Sequence, residues 1–187
     1  FLYPLEIAKD IQRQYAIILG CGGSARAVLA GLKRLQYEKI IIIARRENSL
    51  KNFLEDIKVT NKSDDFQTKI MGILESDTNL INHINKANLI INTTPNGMQK
   101  ENEEANQAIP LSEEVWGNLN YQTTLYDLIY TPRPTRWLRL GKNAGCKTID
   151  GLEMLIQQGA ASLRLWSGIN TIPIDIMRQA AENELKI

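Results

Sequence analysis

Residues 16–32 read AIILGCGGSARAVLAGL: a short apolar run, a cluster of three glycines, then an Ala/Leu-rich stretch with helical spacing. Gly20, Gly22 and Ala25 fit the pattern G-x-G-x-x-A, directly after a strand-like run and directly before a helical one, the context that a dinucleotide-binding loop requires. The first glycine permits a tight turn, the second lets a pyrophosphate approach the backbone, and the small third residue lets helix and strand pack closely. N–H groups at the start of the helix then face the anion, and the helix dipole adds attraction. A strand-to-helix turn without ligand uses the same residues. Gly23, a third glycine in the loop, favours the phosphate, and Cys21 has no required role beyond that of a small filler.

Outward from this loop the chain alternates. Strand-like runs recur at 15–19, 39–44, 88–93, 124–129 and 147–149, with a weaker one at 66–73. Helical patterns fall at 24–35, 49–57, 79–86, 111–119, 135–144, 152–166 and 174–185. Strands buried on both faces read as continuous Ile/Leu/Val rather than as an alternation, so the rhythm predicts an α/β fold: a Rossmann-like, doubly wound parallel sheet with helices on both faces. The polar stretch 99–107, QKENEEANQ, is expected to form a mobile loop.

Composition bounds the function. The 187 residues are 43% hydrophobic and 23% charged, enough for one sizeable core and one domain. A net charge of +1 provides no basic field for nucleic acid, and no apolar run approaches the roughly 20 residues needed to span a bilayer. No secretory signal is visible. The two cysteines, Cys21 and Cys146, have no metal-binding spacing, and two thiols in a chain of this size point to a reducing compartment, hence a cytoplasmic protein without a metal site.

The second strand bears on the cofactor. NAD-binding loops of this kind use a carboxylate about 20 residues beyond the fingerprint to hold the ribose hydroxyls. Here residues 41–49 read IIIARRENS, so that place holds Ala44 and Arg45, followed by Arg46. A guanidinium binds a 2′-phosphate through forked, charge-assisted hydrogen bonds where a carboxylate repels it, which points to NADP. Two arginines leaving a strand into solvent would read the same way.

With three further stretches the chain carries a family resemblance. GCGGSARA and ARR, then INTTPNGM at 91–98, DLIYTPRPT at 127–135 and DGLEMLIQQGAASLRLWSG at 150–168 resemble, in order and spacing, the cofactor-binding half of shikimate dehydrogenases. The resemblance covers nearly the whole chain. It implies that Gly20, Cys21, Gly22, Gly23 and Ser24 hold the pyrophosphate and that Ala44, Arg45 and Arg46 replace the family's Asn-Arg-Thr around the 2′-phosphate; the Asn is lost, and Ser49 stands near a place that is often basic. It further implies that Thr93, Thr94 and Pro95 line the adenosine side, that Leu128 and Gly151 meet the nicotinamide through backbone groups, and that Tyr130 and Gln158 touch the hydroxy acid.

Helical geometry bears on Gln158 independently. At ~100° per residue, Leu152, Leu155, Ile156, Gly159, Leu163 and Trp166 make one apolar face and Met154, Ala161 and Leu165 another, leaving a narrow solvent wedge to Glu153, Gln157 and Arg164. Gln158 falls beside the second apolar face, where an amide needs a partner. A substrate hydroxyl would serve, as would neighbouring backbone.

Hydride transfer from a secondary alcohol also needs a group to take the hydroxyl proton. In the family that role is assigned to a Lys and an Asp of the N-terminal half. The opening FLYPL resembles the stretch just after the segment that carries that Asp, so both are expected upstream of Phe1, with no catalytic residue in residues 1–187. His83, the one histidine, lies in a polar helix and reads as a surface residue. Tyr130 is conceivable as an acid or base, but a substrate contact is the simpler reading. The resemblance thus implies that residues 1–187 are an NADP-binding domain, with an interdomain linker helix over 1–13, that works with an N-terminal substrate domain on shikimate and 3-dehydroshikimate. Quinate/shikimate dehydrogenase, methylenetetrahydrofolate dehydrogenase and a non-enzymatic NADP-binding module are the alternatives; DGLEMLIQQ argues against the folate enzyme. A homodimer is left open.

Overall fold

Continuous Ile/Leu runs build the middle of a six-stranded parallel sheet. The strands are β1 (Tyr15–Leu19), β2 (Lys39–Ala44), β3 (Lys69–Leu74), β4 (Leu89–Asn92), β5 (Thr124–Asp127) and β6 (Lys147–Ile149), in the order β3-β2-β1-β4-β5-β6. The structure, a computed structural model, describes residues 1–8, 10–60, 68–98 and 107–185. Residues 99–106 of the expected mobile loop, and 66–67 of the expected weaker strand, lie outside them. The remainder of that weaker run is β3, at one edge of the sheet.

Helices α1 (Leu2–Ile7), α2 (Gly23–Arg34), α3 (Glu47–Thr60), α4 (Leu80–Lys86), α5 (Glu113–Trp116), α6 (Arg136–Asn143), α7 (Leu152–Ser167) and α8 (Ile174–Glu184) complete the described elements. Successive strand residues point to opposite faces, which divides the core in two. Ala16, Ile18, Ile40 and Ile42 pack with Val28 and Leu32 of α2 and Phe53 of α3. Ile17, Leu19, Ile41 and Ile43 pack on the other side with Leu80 and Ile84 of α4, Trp116 and Trp137. Helices on both faces of a parallel sheet make the Rossmann-like fold expected from the sequence. No helix among the described residues is long and apolar enough to cross a membrane.

Several boundaries differ from the expected ones for identifiable reasons. The strands expected at 88–93 and 124–129 stop at Asn92 and Asp127, whose side chains accept hydrogen bonds from the backbone N–H groups of Thr94 (3.0 Å) and Ile129 (3.2 Å) and so turn the chain out of the sheet. The helix expected at 111–119 shrinks to α5, because Leu111 adopts a left-handed φ of 63° and Ser112 is extended. Among the described residues of the linker helix expected over 1–13, α1 is helical, and Ala8 leaves the helical region at ψ 80°.

His83 is another correction. It is half-buried rather than a free surface side chain, since α4 seats its ring beside Tyr15, whose hydroxyl shares a hydrogen bond with Nδ1. Desolvation, aided by Lys39, lowers its pKa below the ordinary 6.5, while Asp77 opposes the shift. A folded-state pKa below the unfolded one means that the neutral ring stabilises the fold: that contribution is complete above pH 6.5 and is lost as the pH falls below it. Thermal melts from pH 8 to pH 5 should therefore show wild type losing more stability on acidification than His83→Phe; parallel losses would show that the ring does not report on folding.

Candidate functional site: a crevice at the strand switch point

The winding of the sheet reverses beside β1, which pairs with β2 on one side and β4 on the other. Ligands of open α/β sheets bind in the crevice that this reversal leaves at the carboxyl ends of the strands. Two arms meet there, a wide one of about 740 Å³ and a narrow one of about 310 Å³, and both are walled by Thr93, Thr94 and Pro95.

The glycine loop sits at their junction. Gly20 has φ 102°, and a Cβ there would stand 2.8 Å from Oγ1 of Thr93, so both conformation and space demand glycine. Thr93 is pressed against this turn by its own N–H (3.0 Å) and hydroxyl (2.7 Å), which both donate to the Leu19 carbonyl. Beside Gly22 and Gly23, by contrast, nothing lies within 4 Å of a would-be Cβ. Gly22 is the N-cap of α2 and offers no side chain to its first-turn N–H groups. These donors and the helix dipole form a cradle for an anion. Ala25 is fully buried, which the close packing of α2 on β1 requires.

The structure brings most of the expected residues to this crevice. Gly20, Cys21, Gly22, Ala44, Arg45 and Arg46 line the narrow arm. Both arginines are exposed, and among the described residues neither is held by an ion pair. Ser24, Leu128, Tyr130 and Gln158 line the wide arm. Gly23 and Gly151 are walls of neither. Gly151 is buried beneath the Tyr130 loop: its N–H donates to the Ile129 carbonyl (3.1 Å), its carbonyl accepts from Leu155, and a Cβ would lie 2.1 Å from the Leu128 oxygen. It lets the start of α7 pass under that loop.

On α7 the expected solvent wedge is covered. Gly168 ends the helix with φ 70°, and the chain folds back so that Arg178 of α8 donates to Glu153, which also accepts from Gln157 (2.8 Å). Gln157 is therefore half-buried, whereas Gln158 is exposed on the cleft wall, where no other part of the described chain satisfies its amide. The apolar faces are buried only at Leu152, Ile156 and Ala160; Leu165 is 84% and Trp166 80% exposed.

One constellation is not evident from periodicity. Asp127, at the end of β5, is fully buried and accepts from Nδ2 of Asn92 (3.0 Å), the Thr135 hydroxyl (2.7 Å) and the N–H of Ile129 (3.2 Å). Asn92 in turn accepts from the N–H and hydroxyl of Thr94, and Thr135 caps α6 by accepting from Leu138. The carboxylate thus ties the Thr93–Thr94 wall to the Tyr130 loop. Burial pushes its pKa up to about 6, against the pull of these hydrogen bonds, and Asp150 adds repulsion. The same loop is pinned from outside by an Arg133–Asp150 ion pair, while Asp150 accepts from the N–H of Leu152 at the start of α7. An apolar strand that ends in a lone Asn or Asp is the sequence signal for such a cluster.

Asp127→Ala strands three buried donors. Urea unfolding at pH 7 should show a loss of about 3 kcal/mol, with Asp127→Asn losing less because it keeps one acceptor. Equal stability of Asp127→Ala and wild type would contradict this role.

Comparison with known proteins agrees with this geometry. Residues 151–182 match the shikimate 5'-dehydrogenase C-terminal domain family. A shikimate dehydrogenase (NADP(+)) of Prochlorococcus marinus strain MIT 9215 is 40% identical over 99% of this chain and 62% of its own length. Among solved structures, a shikimate dehydrogenase in complex with NADP+ superimposes with a TM-score of 0.72 at 28% identity, covering 97% of this chain and 59% of that one. The 5-ketofructose reductase of Gluconobacter sp. strain CHM43 gives 0.72 at 27% identity, over 98% and 61%. The chain spans about 62% of the length of the curated relatives that it matches. Over 185 aligned residues the chain is thus similar to shikimate dehydrogenases in sequence, and it shares its fold with solved members of that family.

Proposed function

We propose that this chain is the NADP-holding part of a shikimate dehydrogenase, which reversibly reduces 3-dehydroshikimate to shikimate in the cytoplasm. The observation that carries the reading is a pair of cavities that share the Thr93–Pro95 wall, with an arginine pair in one and Tyr130 and Gln158 in the other. An extended dinucleotide with a phosphate at its adenosine end has that shape and polarity. Arg45 and Arg46 grip the 2′-phosphate, the first-turn N–H groups of α2 hold the pyrophosphate, and Thr93 to Pro95 support the adenosine half. NADPH supplies the hydride. Tyr130 and Gln158 orient the hydroxy acid over the wide arm.

Among the described side chains lining the wide arm, Tyr130 alone is an acid or base. We assign proton transfer to the Lys and Asp that the family carries in its N-terminal half, and residues 1–13 to the link between the halves. The exposed Leu165 supports the assignment, because it shares a face of α7 with Met154 and Gln158 of the cleft wall, and apolar surface beside the cleft suits the flank of a second domain.

Calorimetric titration of the chain should show NADP+ binding at least tenfold more tightly than NAD+, about 1.4 kcal/mol. Arg45→Ala should remove much of that preference and leave NAD+ nearly unchanged. Equal affinities for the two cofactors in wild type would overturn the 2′-phosphate assignment, and no binding of either would overturn the dinucleotide reading.

A further inference from the structure

The narrow arm holds a charge that counting along β2 does not reveal. β3 runs parallel to β2 with Leu74 opposite Ala44. The two strands therefore end at the same level, and the next residues are Arg45 on one and Glu75 on the other. The N–H of Glu75 donates to the Ala44 carbonyl (3.1 Å), which keeps the pair of chains in register through this step. Neighbouring parallel strands stand roughly 4.8 Å apart. Glu75 is exposed and lines the same 310 Å³ arm as Arg45, Arg46 and Ser49, and it is the one carboxylate among the described residues there. Among the described residues it makes no ion pair with either arginine.

Resting on the dinucleotide reading above, we propose that Glu75 sets the cofactor selectivity of the site. A carboxylate beside the adenosine ribose accepts hydrogen bonds from its two hydroxyls, the role that the end of the second strand plays in NAD-binding loops. Here the third strand delivers it. The arm therefore has a receptor for each form of the ribose: Glu75 for the free 2′-hydroxyl and the arginines for the 2′-phosphate. The opposition runs one way, from Glu75 to the phosphate. A dianionic phosphate gripped by Arg45 and Arg46 is repelled by Glu75 across a partly wet gap, so NADP(H) binds less tightly than the arginines alone allow, and NAD(H) keeps measurable affinity.

The test is titration of NADP+ and NAD+ into wild type, Glu75→Gln and Arg45→Ala at low and at 0.5 M salt. Glu75→Gln removes the charge at an exposed position and keeps the size. NADP+ should tighten roughly three- to tenfold in this variant at low salt, with a smaller gain at high salt, while NAD+ weakens about threefold. Arg45→Ala should weaken NADP+ and leave NAD+ nearly unchanged, so that the preference shifts in the sense opposite to that of Glu75→Gln. Unchanged affinities in Glu75→Gln, or a parallel change for both cofactors, would overturn the role of Glu75 and leave the dinucleotide reading intact. Failure of wild type to bind either cofactor would overturn both.

Discussion

A buried carboxylate that must be satisfied governs the geometry of the crevice. Asp127 sits at the end of β5 with no exposure, and an uncompensated charge there would cost more than the fold can bear. Its acceptors are filled by Asn92, Thr135 and Ile129: Asn92 directly precedes the Thr93–Pro95 wall, Ile129 lines the wide arm, and Thr135 ends the loop that carries Tyr130. The walls therefore cannot move independently of the sheet. A site on loops gains the precision of a site on strands because the loops leave the strands through these hydrogen bonds. The second clamp, Arg133 on Asp150, fixes the far side of the Tyr130 loop to the start of α7, so that Gln158, two turns further along, has a defined position relative to Tyr130.

The other half of the crevice depends on an absence of atoms. Gly20 is forced by a left-handed φ and by Thr93 pressed against it, while Gly22 and Gly23 leave open space above the first turn of α2. One glycine serves packing and the other two serve approach. The arms differ accordingly: the narrow one is walled by backbone and charged ends of strands, the wide one by side chains of α2, α7 and the Tyr130 loop.

Most of the sheet is legible in the sequence because its inner strands are buried on both faces and read as unbroken Ile/Leu runs; β1 and β2 have the bounds that the runs predict. The glycine loop is legible for the same reason, lying between two such signals. What periodicity does not carry is the polar chemistry at strand ends. Asn92 and Asp127 look like the trailing residues of apolar strands, and only the parallel pairing of β4 with β5 makes them partners. Glu75 escapes in the same way, since its neighbour Arg45 lies 30 positions away in sequence and one strand away in space. His83 and Gln157 are misjudged because their helices are read as isolated cylinders, whereas β1 covers one and α8 the other.

The proposed function requires that the glycine loop and the arginine pair hold one dinucleotide along the ends of β1, β2 and β4. Amide NMR of the chain during titration with NADP+ tests it most directly. Saturable shifts are expected, concentrated at Gly22, Gly23 and Ser24 and at Arg45 and Arg46, with Thr93 and Thr94 following. Shifts confined to other faces of the sheet, or none at saturating cofactor, would contradict it.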